Sequence, residues 1–183
     1  MKRTLTIVLT IFALSAGAFA QGPDQAAIDK ALLAAPGNLK AGATVIKWKA
    51  DFTYETLKKG TNHLVCYDRT GQPGQQPFAV ECTSLANLDR VAQNLKAEAL
   101  GDKKASEAAL MAEEKDGTRA KPEFGSVWIH MSGPDAEHAR MHTTIAVPGA
   151  TAQSLGLPEA PAQGGAWIMN PGTSTAHLMT PGN

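Results

Sequence analysis

The chain has 183 residues, with seventeen Lys and Arg against seventeen Asp and Glu, so no charge excess is available to hold nucleic acid or an anionic lipid surface. Its length fits one domain with a core of its own, and its two cysteines are too few for a scaffold that depends on disulfides.

The first twenty residues, MKRTLTIVLTIFALSAGAFA, place Lys2 and Arg3 ahead of an apolar run from Leu5 to about Ala16, then small residues ending in Ala18-Phe19-Ala20. This pattern predicts a secretory leader cleaved between Ala20 and Gln21. The apolar run is short for a span of roughly 20 residues, and no Cys follows the cleavage point to take a lipid. Lys-Arg in place of a twin Arg favours the general export route, so the mature chain, 21–183, is expected in the periplasm or outside the cell. Loss of Lys2 and Arg3 leaves fifteen basic and seventeen acidic groups. No later segment is apolar for long enough to cross a bilayer, so no membrane span is expected after cleavage.

Beyond Gln21, Pro23-Asp24 reads as a helix start, Ile28, Leu32 and Leu33 recur at helical spacing, and Pro36-Gly37 marks the stop. Alternation and β-branched residues predict strands over 43–49, 53–58 and 62–68, the last two joined as a hairpin through Gly60-Thr61-Asn62. In an oxidising compartment Cys66 and Cys82 have only each other as partners, which predicts a disulfide. Closing the intervening YDRTGQPGQQPFAVE loop removes about 3 kcal/mol of unfolded-chain entropy. A reactive-thiol alternative lacks the C-x-x-C spacing that tunes such a pair.

Thr83 or Ser84 is placed to cap SLANLDRVAQNLKAEAL, where Leu85, Leu88, Val91, Leu95 and Ala99 form an apolar stripe. A second helix is expected near 102–121, weakly docked and mobile, because Lys103 and Lys104 at its start and Glu113 and Glu114 at its end oppose the helix dipole. SVWIHMSG, TTIAVPG, AWIMNPG and AHLMTPG then read as strands, with a short helix and loop in ATAQSLGLPEAPAQGG. The expected fold is a single α+β domain, a mainly antiparallel sheet with two or three packed helices.

The five histidines bear on function. On a strand His130-Met131 and Met141-His142 point to opposite faces, whereas His177 and Met179, at i and i+2, share one. A helical PDAEHARMH would align His138 with His142. His177 and Met179 are therefore the pair that spacing offers to a metal, with copper or zinc the ions their donor atoms suit and copper(I) favoured by the thioether. The competing reading has Met131, Met169 and Met179 filling the core beside Trp128 and Trp167, while His142 and His177 bond backbone groups at strand ends. No G-x-S-x-G elbow, P-loop, dinucleotide fingerprint or H-E-x-x-H is present, so no catalytic residue and no cofactor is assigned.

The stretches from Leu57 to Cys66 (LKKGTNHLVC), Met141 to Pro148 (MHTTIAVP) and Trp167 to Pro181 (WIMNPGTSTAHLMTP) resemble a family of small exported bacterial proteins. In it a G-T-N turn precedes a Cys, a His opens a strand ending in Val-Pro, and G-T-x-x-A-H-L-M-x-P closes the chain. The resemblance implies that His142 starts a strand, against the helical His138/His142 pair, and lies in the same sheet region as His177, which makes His142, His177 and Met179 the candidate metal ligands. It implies no named activity. The functional expectation is an exported, disulfide-bridged binding or accessory domain for a small ligand or an envelope protein. A copper or zinc binder and a small hydrolase are the alternatives.

Overall fold

The computed structural model describes residues 23–161 and 165–180; the expected leader and its Ala20/Gln21 cleavage point lie outside them. The chain opens with α1 (Pro23–Ala31), passes through a tight 3-10 turn over Leu32–Ala34, and makes a single helical turn, α2 (Gly37–Lys40). Ala31, Leu32 and Ala34 are buried. Leu33, expected on the same apolar face, is exposed because the change from α to 3-10 winding at Leu32 rotates it outward.

Strands β1 (Thr44–Trp48), β2 (Tyr54–Lys58) and β3 (Leu64–Asp68) fall where alternation placed them. Their pairing corrects one expectation. β2 pairs antiparallel with β1, and β3 lies parallel on β1's other side, so Gly60-Thr61-Asn62 is a crossing and not a hairpin turn. The amides of Thr61 and Asn62 donate to the Gly42 carbonyl at 2.8 and 3.0 Å, and Gly60 N donates to Thr44 Oγ1 at 3.0 Å. A Cβ at Gly60 would sit inside the van der Waals shell of the Gly42 carbonyl and the Thr44 amide, so the crossing needs glycine for space.

β4 (Phe78–Ser84) pairs antiparallel with β3 and sets Cys82 directly opposite Cys66, where the two form a disulfide. A 3-10 turn over Leu85–Asn87 leads into α3 (Leu88–Glu98). Leu88, Val91 and Leu95 are buried as expected, but Leu85 and Ala99 are exposed, because the 3-10 turn and the helix end take them off the stripe. Ser84 does not cap the helix: its Oγ accepts the Val127 amide at 3.2 Å.

α4 (Lys103–Asp116) begins with Asp102 accepting the Ala105 amide at 2.8 Å and ends at Gly117, whose φ is +79°. None of its residues is buried. Arg119 and Arg90 lie 3.5 Å from Glu113 and Glu114, so the two carboxylates that oppose the dipole are met by buried guanidinium groups.

β5 (Val127–Gly133) and β6 (Arg140–Ala146) form a hairpin, followed by α5 (Ala152–Leu155), β7 (Trp167–Met169) and β8 (His177–Met179). The eight strands run β2-β1-β3-β4-β5-β6-β8-β7, with β1–β3 the one parallel pair. The architecture is α+β with a mainly antiparallel sheet. Of the five α-helices among the described residues, two are four-residue turns. No helix among those residues is long and apolar enough to cross a membrane.

The sheet buries both faces. On one, Val45, Leu64, Cys66, Val80, Cys82 and Ile129 pack against Ala31, Leu32 and Ala34. On the other, Ile46, Val65 and Tyr67 meet Leu88, Val91 and Leu95 of α3, where each fully buried aliphatic contributes about 1.5–3 kcal/mol. A smaller cluster of Val147, Ile168 and Ala176 closes the far end. α3 covers only the β1–β3 half of its face, which leaves the β4–β8 half open to a polar cleft.

Candidate functional site

Strand alternation brings Tyr67, Glu81, His130 and His142 to the α3 face, and register aligns them as one rung across β3, β4, β5 and β6. Glu81 sits at the centre, buried. Tyr67 Oη donates to its Oε1 at 2.7 Å, Arg69 Nη1 donates to Oε2 at 3.1 Å, and His130 Nδ1 lies 3.5 Å from Oε2. Burial alone would push the Glu81 carboxyl up, but His130, Arg69 and Tyr67 outweigh it and hold the group below the ordinary carboxylate range. The same burial, with Glu81 beside it, pushes the Tyr67 phenol well above its usual value. Arg69 also bonds Gln72 and Glu98, so it joins the floor to α3. Glu98, raised mainly by burial, is the more exposed of its two carboxylate partners.

Above this floor lies an open cleft of about 340 Å³. Arg90, Asn94 and Glu98 line one wall, each four residues after the last and so on one side of α3. Arg119 and Pro122 from the segment after α4 extend that wall, and Thr175, Ala176 and His177 form the other. Arg90 Nη1 donates to the Ala120 carbonyl at 2.6 Å. Arg119 Nη1 donates to Gln93 Oε1 at 3.1 Å, and Nη2 donates to Asn94. Burial, then the nearby charge of Arg90, lowers Arg119 to about 10, which leaves it a cation at neutral pH.

The three imidazoles differ. His130 and His142 stack with ring centroids 5.5 Å apart, and burial followed by the charge of His130 lowers His142. His177 Nδ1 lies 2.7 Å from the Thr175 carbonyl oxygen. A carbonyl only accepts, so Nδ1 carries the proton and Nε2 keeps its lone pair.

His142 and His177 thus line one cleft, as the candidate metal pair requires. Met179 shares their sheet face, but its sulfur accepts the Thr144 hydroxyl at 3.3 Å and it is not part of the cleft wall. Among the described residues no three His, Cys, Asp or Glu side chains come together to hold an ion. His138 lies outside the site, in the exposed β5–β6 turn, with Nδ1 2.8 Å from Asp135 Oδ1; PDAEHARMH is not helical, and His138 and His142 share no face. Met131 packs on the opposite, α1 face of the sheet from Trp128, and Met169 is exposed, so these two methionines do not fill one core beside the tryptophans.

Glu81, Arg69, His130, Arg90 and Arg119 escaped the sequence reading. Two signals pointed to part of this set: His130 and His142 are equidistant from Ala136 in a hairpin, and Arg90, Asn94 and Glu98 recur every four residues. No known protein family, curated protein or solved structure matches the chain.

Proposed function

We propose that this chain is an exported binding domain, released from its leader after Ala20, that captures a small polar ligand in the cleft between α3 and the β4–β8 half of the sheet. The observation that carries the reading is the Tyr67-Glu81-His130-His142 rung: a buried carboxylate held ionised by three partners beneath an open polar cleft. Buried charge is costly, and a fold that only needed stability would fill this rung with apolar side chains at no loss. Export rests on the leader pattern, and the Cys66–Cys82 bridge belongs to an oxidising compartment. Binding is favoured over covalent chemistry because, among the described residues, no Ser or Cys lines the cleft, and the Thr144 and Thr175 hydroxyls bond Met179 and Thr173.

The test is a ligand-observed NMR screen of residues 21–183 against a broad metabolite library, with protein-observed spectra of the imidazole rings for each hit, repeated with Glu81→Gln. Binding that shifts the His130 and His142 ring signals and weakens in the variant is the expected result. A library without a single binder at this cleft would end the reading. The second reading, a small hydrolase using His130 as base, is favoured by the Glu81–His130 contact. Turnover of an ester substrate that disappears in His130→Gln would establish it in place of the first.

A further inference from the structure

We propose that the ligand is a small acid that carries a proton donor beside its oxyanion, a hydroxy acid or an amino acid; this rests on the binding reading above. The reasoning is an account of which hydrogen-bonding atoms in the cleft remain uncommitted. A guanidinium has five N–H donors. Arg90 commits Nη1 to the Ala120 carbonyl and Nη2 to Glu114 at 3.5 Å, a long contact. Arg119 commits Nη1 to Gln93 and the Arg90 carbonyl, with Glu113 at 3.5 Å, and Nη2 to Asn94, which leaves Nε and the second Nη2 hydrogen. Both guanidiniums are buried, and each retains unspent N–H capacity on the same wall.

Two guanidiniums brought together out of water repel, and the carboxylates that offset them, Glu113 and Glu114, approach no closer than 3.5 Å. A carboxylate or phosphate entering the cleft would meet both and relieve that repulsion. Bracing the 118–122 segment against α3 explains the bonds these arginines make, but not why both also line an open cleft.

His177 supplies the opposite capacity. Its Nδ1–H is spent on the Thr175 carbonyl at 2.7 Å, which leaves Nε2 of the neutral ring as a lone-pair acceptor on the wall facing the arginines. A ligand that satisfies both sides needs an oxyanion for the arginines and a hydroxyl or ammonium for His177. A cleft of about 340 Å³ lies near the lower end of ordinary small-molecule sites, which fits a compact acid.

Four-carbon probes of matched size isolate the chemistry: L-malate, L-aspartate, succinate, erythritol and putrescine, each titrated into residues 21–183 by calorimetry. Malate or aspartate is expected to bind about tenfold tighter than succinate, the worth of one added hydrogen bond, with no binding of erythritol or putrescine. Arg119→Gln should weaken every acid. His177→Phe, on a peripheral strand, should weaken malate more than succinate and close the gap between them. Succinate equal to malate, a neutral or cationic probe binding as well as the acids, or no probe binding at millimolar concentration would each overturn the inference. If the metabolite screen finds cleft binders while these acids fail, the ligand class alone falls; if both are blank, the binding reading falls with it.

Discussion

His130 and His142 face each other across the β5–β6 pair with their rings stacked 5.5 Å apart, so the two imidazoles share one electrostatic environment. Charge on His130 makes charging His142 harder.

That coupling, together with burial, lowers His142 and fixes the sign of a pH effect. As pH falls, an unfolded His takes up its proton near its ordinary value of about 6.5, before the folded one does. Between those two values the unfolded state holds more protons, so stability present above about pH 6.5 is lost as pH drops toward the lowered folded value. An NMR titration should place the His142 midpoint below that of an unperturbed His, and the urea midpoint of His142→Phe should fall less on acidification than that of the parent. A His142 that titrates at or above the ordinary value contradicts the account.

Glu81 supports a prediction of larger size. Glu81→Gln leaves Arg69 with only the more exposed Glu98 for charge compensation, and a broken buried ion pair costs about 3–5 kcal/mol. Urea unfolding should show a loss toward the lower end of that range. Replacing Arg69 by Met in the same variant should recover part of the loss, because the buried guanidinium is then gone and the charge left behind, on Glu98, is partly exposed to water. The lowered Glu81 carboxyl also adds stability above the ordinary carboxylate range that is lost as pH falls through its depressed folded value. A Glu81→Gln variant as stable as the parent, with an unchanged acid transition, would refute the role assigned to this carboxylate.

At Gly60 the constraint is space and not backbone conformation. Gly60→Ala drives a methyl group into the Gly42 carbonyl and the Thr44 amide, and backbone cannot yield as a flexible side chain would. A loss of at least about 2 kcal/mol is expected in urea unfolding. Gly37, with nothing near its missing Cβ, is the control: Gly37→Ala should stay within about 0.5 kcal/mol. Equal effects at the two positions would show that the close crossing is not required.

The strands at 44–48, 54–58, 64–68 and 127–133 were legible because alternation and β-branching are local signals. Strand order was not. Gly60-Thr61-Asn62 has the same turn chemistry whether it closes a hairpin or crosses over β1, and only the burial of β3 between β1 and β4 distinguishes them. FAVECTS follows a Gly- and Pro-rich loop and leads into a helix, so in the sequence its first residues belong to the loop and Thr83 and Ser84 to the helix cap, whereas it forms the inner strand β4. Its misreading hid the site, since Glu81 meets Tyr67 and His130 only once β4 lies between β3 and β5. The Cys66–Cys82 bridge was legible from the leader pattern together with a count of two cysteines. Arg119 was not, because its partners Gln93 and Asn94 belong to a helix more than twenty residues earlier.

The disulfide offers the last prediction. Cys66 and Cys82 are opposite residues in the β3–β4 ladder and are wholly buried under α1, so the bridge both constrains the unfolded chain and fills the core. The entropic part, set by a separation of sixteen residues, is about 3 kcal/mol. Cys66→Ala with Cys82→Ala loses that and also leaves small voids, whereas reducing the native chain opens the loop but keeps the sulfur volume. Urea unfolding should therefore rank the oxidised parent above the reduced parent, and the reduced parent above the double variant. A reduced chain as stable as the oxidised one would mean that residual structure in the unfolded state already holds these strands together, and loop closure would no longer account for the bridge.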